Sequence, residues 1–393
     1  MTSSPNPAEL DRLLNRDPAS VAAWEAAAFD RAAGTSADKI VLFGAGGLGR
    51  KTLAGLRKVG IEPLAFSDNN QKVWNTTIDG LAVLPPQEAA RKFGADATFV
   101  VTVWNGFTRD TMGQRLAALK SLGCKKVVSF AELFWKYPDT FIPHYSLDLP
   151  SRFFQHAADV RKAFDLWADD ASRNEYMAQI RWRALLDFDG LPNPVTHEIY
   201  FPPDLIDLRS DEHFVDCGAF DGDTLAKFIG LRGDSFGSIH AFEPDPRNFQ
   251  KLQQRHKAWT ENIRRKIAIF DCAVGDQPGK VPFSADGTEA SFAGKGSTEV
   301  DCITLDSMLS PQSASYIKMD IEGFEPAALE GGRQLISNTA PVLAVCSYHK
   351  QEHVWQIPLL IRSMSDRFKF FLRPHLREVW DLVCYAIPSD RLK

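Results

Sequence analysis

Short apolar runs alternate with amphipathic stretches along two separate parts of the chain, and that alternation predicts two α/β domains. A helical lead-in comes first, in PAELDRLLNRD and VAAWEAAAFDRAA. The run KIVLFGAGGLGRKTLAGLRKVGI then reads as strand, glycine-rich turn and helix, the opening of a βαβ unit. Further strands are expected at PLAFSD, ATFVVTV and KKVVSF. With the lead-in, this predicts a parallel-sheet, Rossmann-like domain over residues 1–135.

From Lys136 the pattern changes to aromatic and charged helical material, including DVRKAFDLWADDASRNEYMAQIRWRALLDF, closed by the proline-rich LPNPVTHEIYFPPD. Residues 136–205 therefore read as a helical connector, whose aromatics are expected in ordinary packing or over a substrate mouth. Strand periodicity resumes in residues 206–393, at HFVDCG, SIHAFEP, KIAIFDCAV, SYIKMD, PVLAVCS, RFKFFLR and DLVCYAI. The first five of these alternate with helical segments and the last two do not. That order fits a doubly wound sheet finished by an antiparallel pair.

Composition narrows the class. A chain of 393 residues, 44% of them hydrophobic, can bury more than one core. The net charge is −5 with no dominant Lys/Arg cluster, so no nucleic-acid partner is expected. No run approaches the roughly 20 apolar residues that cross a bilayer, and the start lacks a basic and apolar leader. A cytoplasmic protein without a membrane partner is expected. The six cysteines are scattered, without C-x-x-C spacing, and read as buried thiols. Oligomeric state is not legible.

Two glycine turns invite different ligands. Gly44, Gly46 and Gly49 complete a G-x-G-x-x-G at a strand-to-helix turn, and Asp68 ends the following strand. Such a turn suits a nucleotide, NAD-like or nucleotide sugar, but equally suits plain helix-on-sheet packing. The second turn, VDCGAFDGDT, carries Asp216, Gly218, Ala219, Asp221 and Gly222. Its carboxylates would repel phosphates, whereas S-adenosylmethionine brings a sulfonium and an ammonium and no phosphate. Gly218 would let the backbone approach the cofactor, and Asp216 or the loop carboxylates would receive its ammonium. Glu243, at the next strand end, would accept from the ribose hydroxyls. Asp271, Cys272 and Ala273, after the third strand, would border the adenine.

These residues lie in stretches that resemble the FkbM family of S-adenosylmethionine-dependent methyltransferases: FVDCGAFDGDT, HAFEPDP, FDCAVGD, VDCITLDSML, YIKMDIEGFEPAALEGG and SYHKQEHVWQIP. The resemblance covers residues 213 to about 388. It implies a class I methyltransferase fold with a seven-stranded sheet, and O-methylation of sugars or small metabolites. The first domain resembles the Rossmann-like modules found beside such enzymes.

Ligands of open α/β sheets gather at the carboxyl ends of the strands, which places Asp320, Glu322 and His349 at the transferred methyl. His349 is the expected base because an ordinary imidazole titrates near neutrality, with Asp320 orienting the acceptor or the cofactor. Asp320 and, more readily, Glu322 can also be read as bonding the backbone of the helix start at Glu325 and Pro326, and Lys318 reads as a surface side chain. His349, Glu352 and His353 match H-x-x-E-H, a zinc peptidase pattern that needs both histidines on one helix. No metal is assigned, although a divalent ion on Asp320 and Glu322 has suitable oxygen ligands. Two alternatives stay open: a nonenzymatic cofactor- or nucleotide-binding sensor, and an NAD-dependent oxidoreductase centred on the first domain.

Overall fold

A computed structural model describes residues 6–284, 292–293, 298–310 and 314–393. The chain divides into two compact units. One takes residues up to 157 with 177–193 and 376–380; the other takes 158–176, 194–375 and 381–393. The stretch 136–205, expected as one connector, is therefore shared between both units.

In the first unit, α1 (Pro7–Leu14) and α2 (Pro18–Ala33) each start with a capping side chain followed by proline. Asn6 accepts from the Ala8 amide and Asp17 from the Ser20 amide. The strands are β1 (Ile40–Phe43), β2 (Ala65–Ser67), β3 (Thr77–Ile78), β4 (Leu81–Leu84), β5 (Thr98–Val101) and β6 (Lys126–Ser129). Their order is β3-β4-β2-β1-β5-β6. β1 and β5 are buried along their whole length, which is why they read as continuous apolar runs. The sheet is mixed, because β3 pairs antiparallel with β4. Asp79 and Gly80 make that hairpin turn, both at positive φ, a two-residue connection suited to strand twist.

In the second unit, β7 (His213–Cys217), β8 (Ser238–Phe242) and β9 (Ile267–Phe270) precede a small four-stranded sheet. That sheet holds β10 (Ala273–Val274), β11 (Gly279–Ser284), β12 (Phe292–Ala293) and β13 (Thr298–Ile303), in the order β10-β13-β11-β12. The main sheet is completed by β14 (Tyr316–Met319), β15 (Val342–Cys346), β16 (Phe368–Pro374) and β17 (Leu382–Pro388). Its order is β16-β17-β15-β14-β7-β8-β9, five parallel strands followed by the expected antiparallel pair. Strand order reverses between β7 and β14, and the crevice above such a switch point is where open α/β sheets hold ligands.

All six cysteines are buried and free. Among the described residues no helix is long and apolar enough to cross a membrane.

Candidate active site

The turn after β7 is shaped by one obligatory glycine. Gly218 has φ +82°, and a Cβ there would lie 1.9 Å from the Asp320 carbonyl oxygen, so any side chain collides with backbone. The Gly218 and Ala219 amides both donate to the Phe242 carbonyl, which ties the turn to the end of β8. Gly222, at φ +85°, opens the helix Asp223–Arg232.

Glu243 closes the same crevice. One carboxylate oxygen accepts from the Phe220 amide at 2.8 Å and the other from the Asp245 amide at 2.9 Å. The carboxylate is thus fixed in place with acceptor capacity remaining. Burial pushes its pKa up to about 7, against the pull of those two amides.

Asp216 is not positioned to receive an ammonium group, contrary to expectation. It is fully buried and its carboxylate meets Lys318 Nζ at 2.9 Å. Burial raises the Asp216 pKa to about 6, with Lys318 opposing. Lys318 is 2% exposed rather than at the surface, because it also donates to the Gly218 carbonyl at 2.6 Å. A buried cation is retained here because a buried carboxylate and a carbonyl satisfy it. Asp221 is held by Arg255 at 2.9 Å through one oxygen, while its other oxygen is buried and without a hydrogen bond. Asp271 is exposed, and Cys272 and Ala273 are buried at the start of β10.

The crevice fits S-adenosylmethionine. Gly218 leaves a cradle that a Cβ would fill, the fixed Glu243 carboxylate matches ribose hydroxyls, and the orphaned Asp221 oxygen matches an ammonium.

At the carboxyl ends of β14 and β15 the three expected residues do converge. The His349 ring is 1% exposed, with Nδ1 2.8 Å from Glu325 Oε1. Its Nε2 lies 3.3 Å from Asp320 Oδ1 and 3.7 Å from Glu322 Oε1. Burial would lower the histidine's pKa, but Glu325, Glu322 and Asp320 raise it to about 10. The surrounding carboxylates thus favour its charged form, which weighs against the neutral base expected from the sequence. The helix Glu325–Gly331 has no side-chain cap from its N-cap residue Phe324, and Glu325 instead accepts from the Ile321 and Gly323 amides of the loop before it. Burial would raise its pKa, yet His349 and His353 hold it down to about 2.

The zinc peptidase geometry is absent, since His349 precedes the helix His353–Met364 and both rings turn to Glu325. Tyr200, from the stretch expected as a connector, is a further residue beside Asp320. Its hydroxyl donates to Asp320 Oδ2 at 2.7 Å, and its ring lies 5.3 Å from Lys318 Nζ.

Within the first unit, the G-x-G-x-x-G residues build their own turn. A Cβ on Gly49 would lie 1.9 Å from the Gly44 carbonyl oxygen, and one on Gly44 would lie 2.6 Å from Val103. A Cβ on Gly46 would meet nothing within 4 Å. Asp68 accepts from the Ala45 and Asn70 amides, both at 2.7 Å, so each of its oxygens already serves the loop.

Residues 216–377 match the methyltransferase FkbM domain. Over this stretch, less than half of the chain, the protein is similar to that domain, which implies an S-adenosylmethionine-dependent methyltransferase. A methyltransferase FkbM from Methylobacillus flagellatus KT has the same fold, with a TM-score of 0.76 and 22% identity over 97% of this chain and 100% of that one. UDP-D-quinovosamine 4-dehydrogenase from Vibrio fischeri aligns at a TM-score of 0.19 and 23% identity, over 23% of this chain and 75% of that one. Aeropyrum pernix fibrillarin, with natively bound S-adenosyl-L-methionine, aligns at 0.29 and 12% identity, over 47% and 70%. Likenesses as slight as these last two carry no argument. No curated protein matches the chain.

Proposed function

We propose that the FkbM-like domain methylates a hydroxyl group of a sugar or small metabolite. The observation that carries this reading is the placement of Asp320. Its side chain is 25% exposed at the carboxyl end of β14, while Tyr200 and His349 face its two oxygens from behind.

S-adenosylmethionine, when bound, supplies a methyl group made electrophilic by its sulfonium. Glu243 would accept the ribose hydroxyls, and Asp221 the ammonium. Asp320 would then hold the acceptor hydroxyl in line with the methyl group. Asp320 would accept the proton that the hydroxyl loses on taking the methyl group. Positioning of this kind supplies much of the acceleration, and proton acceptance adds about 10²–10⁴-fold. His349, buried behind Asp320, would orient it.

Incubation with methyl-deuterated S-adenosylmethionine and a panel of sugars and hydroxylated metabolites tests the reading. An O-linked deuteromethyl group on a product supports it. A label found on nitrogen or carbon overturns it.

A further inference from the structure

His349 Nε2 is a buried nitrogen without a hydrogen bond, and Asp320 Oδ1 in front of it is a buried oxygen without one. They lie 3.3 Å apart, with Glu322 Oε1 at 3.7 Å from the same nitrogen. Two atoms that each ligate one cation at about 2.1 Å stand about 3.0 to 3.4 Å apart. The first of these spacings is that of ligands around a common ion.

The atoms behind these groups match as well. A metal-ligating histidine characteristically donates its other ring N–H to a carboxylate. Here Nδ1 faces Glu325 Oε1 at 2.8 Å, and Glu325 is itself fixed by the Ile321 and Gly323 amides. Asp320 is likewise held through its second oxygen by Tyr200 at 2.7 Å, leaving Oδ1 directed at His349. Three carboxylates around one imidazole leave an excess of negative charge that a divalent cation would neutralise.

We propose that Asp320, Glu322 and His349 form a site for a first-row divalent metal ion that binds the acceptor oxygen. The inference rests on the O-methylation reading and deepens it. One imidazole with two carboxylates suits ions such as Mn²⁺. An ion there would lower the pKa of the acceptor hydroxyl, easing proton loss as the oxygen attacks.

The full chain, stripped with a chelator, is titrated with MnCl₂ by calorimetry and electron paramagnetic resonance. S-adenosylhomocysteine binding is measured on the same sample. One Mn²⁺ per chain is expected, with at least tenfold weaker binding in Asp320→Asn and His349→Gln and unchanged S-adenosylhomocysteine affinity in both. Wild-type protein that takes no Mn²⁺, or variants that bind it as tightly as wild type, would overturn the metal site. Should those variants melt early, Tyr200→Phe decides, because it removes one oxygen behind Asp320. It should weaken Mn²⁺ binding by about tenfold, and an unchanged affinity overturns the proposal. Failure to bind S-adenosylhomocysteine would instead strike at the methyl-transfer reading.

Discussion

Lys318 and Asp216 stand opposite one another on the neighbouring parallel strands β14 and β7, and their side chains meet at 2.9 Å in the protein interior. Lys318 also holds the Gly218 carbonyl, so this ion pair fixes the turn that cradles the cofactor. Removing one member leaves the other charged and uncompensated. Lys318→Met should therefore destabilise the protein by about 3–5 kcal/mol in chemical denaturation, with partial recovery in the Asp216→Asn, Lys318→Met double variant. A loss below about 1 kcal/mol for the single variant would show that the pair carries no such weight.

Two glycines at corresponding turns should respond in opposite ways. Gly218→Ala puts a methyl into the Asp320 carbonyl at a positive φ and should abolish S-adenosylhomocysteine binding or soluble expression. Gly46→Ala meets open space at φ −77° and should leave the melting temperature nearly unchanged. Similar tolerance at both positions would contradict the packing described for Gly218.

The cofactor affinity should depend on pH through Glu243. Burial holds its pKa near 7 in the ligand-free protein, so acidification through that value protonates the carboxylate that accepts the ribose hydroxyls. S-adenosylhomocysteine affinity should fall below pH 7 by at most about tenfold per unit, as one proton requires. Glu243→Gln should bind weakly and lose this dependence. A wild-type affinity flat from pH 5 to 8 would exclude the role.

Strands and their order were legible because each buried strand is a continuous apolar run, IVLF and TFVV in the first unit and VLAVC in the second. The convergence of Asp320, Glu322 and His349 was legible for a related reason, since strand carboxyl ends share one edge of a parallel sheet. The sheet of β10–β13 was not, because β11 and β13 are largely exposed and lack a regular apolar alternation. Lys318 was misread because a lysine in a strand says nothing of the aspartate beside it on another strand. The charge around His349 was not legible for the same reason, since Asp320, Glu322 and Glu325 face it only in the fold. Tyr200 gave no signal: its place depends on a backbone held by the Tyr385 and Tyr316 hydroxyls, far away in sequence.

The central claim is that the crevice above β7 and β8 binds S-adenosylmethionine, and calorimetric titration with S-adenosylhomocysteine tests it most directly. One site per chain is predicted, weakened more than tenfold by Glu243→Ala and unaffected by Asp68→Asn. Absence of binding, or a loss that follows Asp68 and spares Glu243, would contradict it.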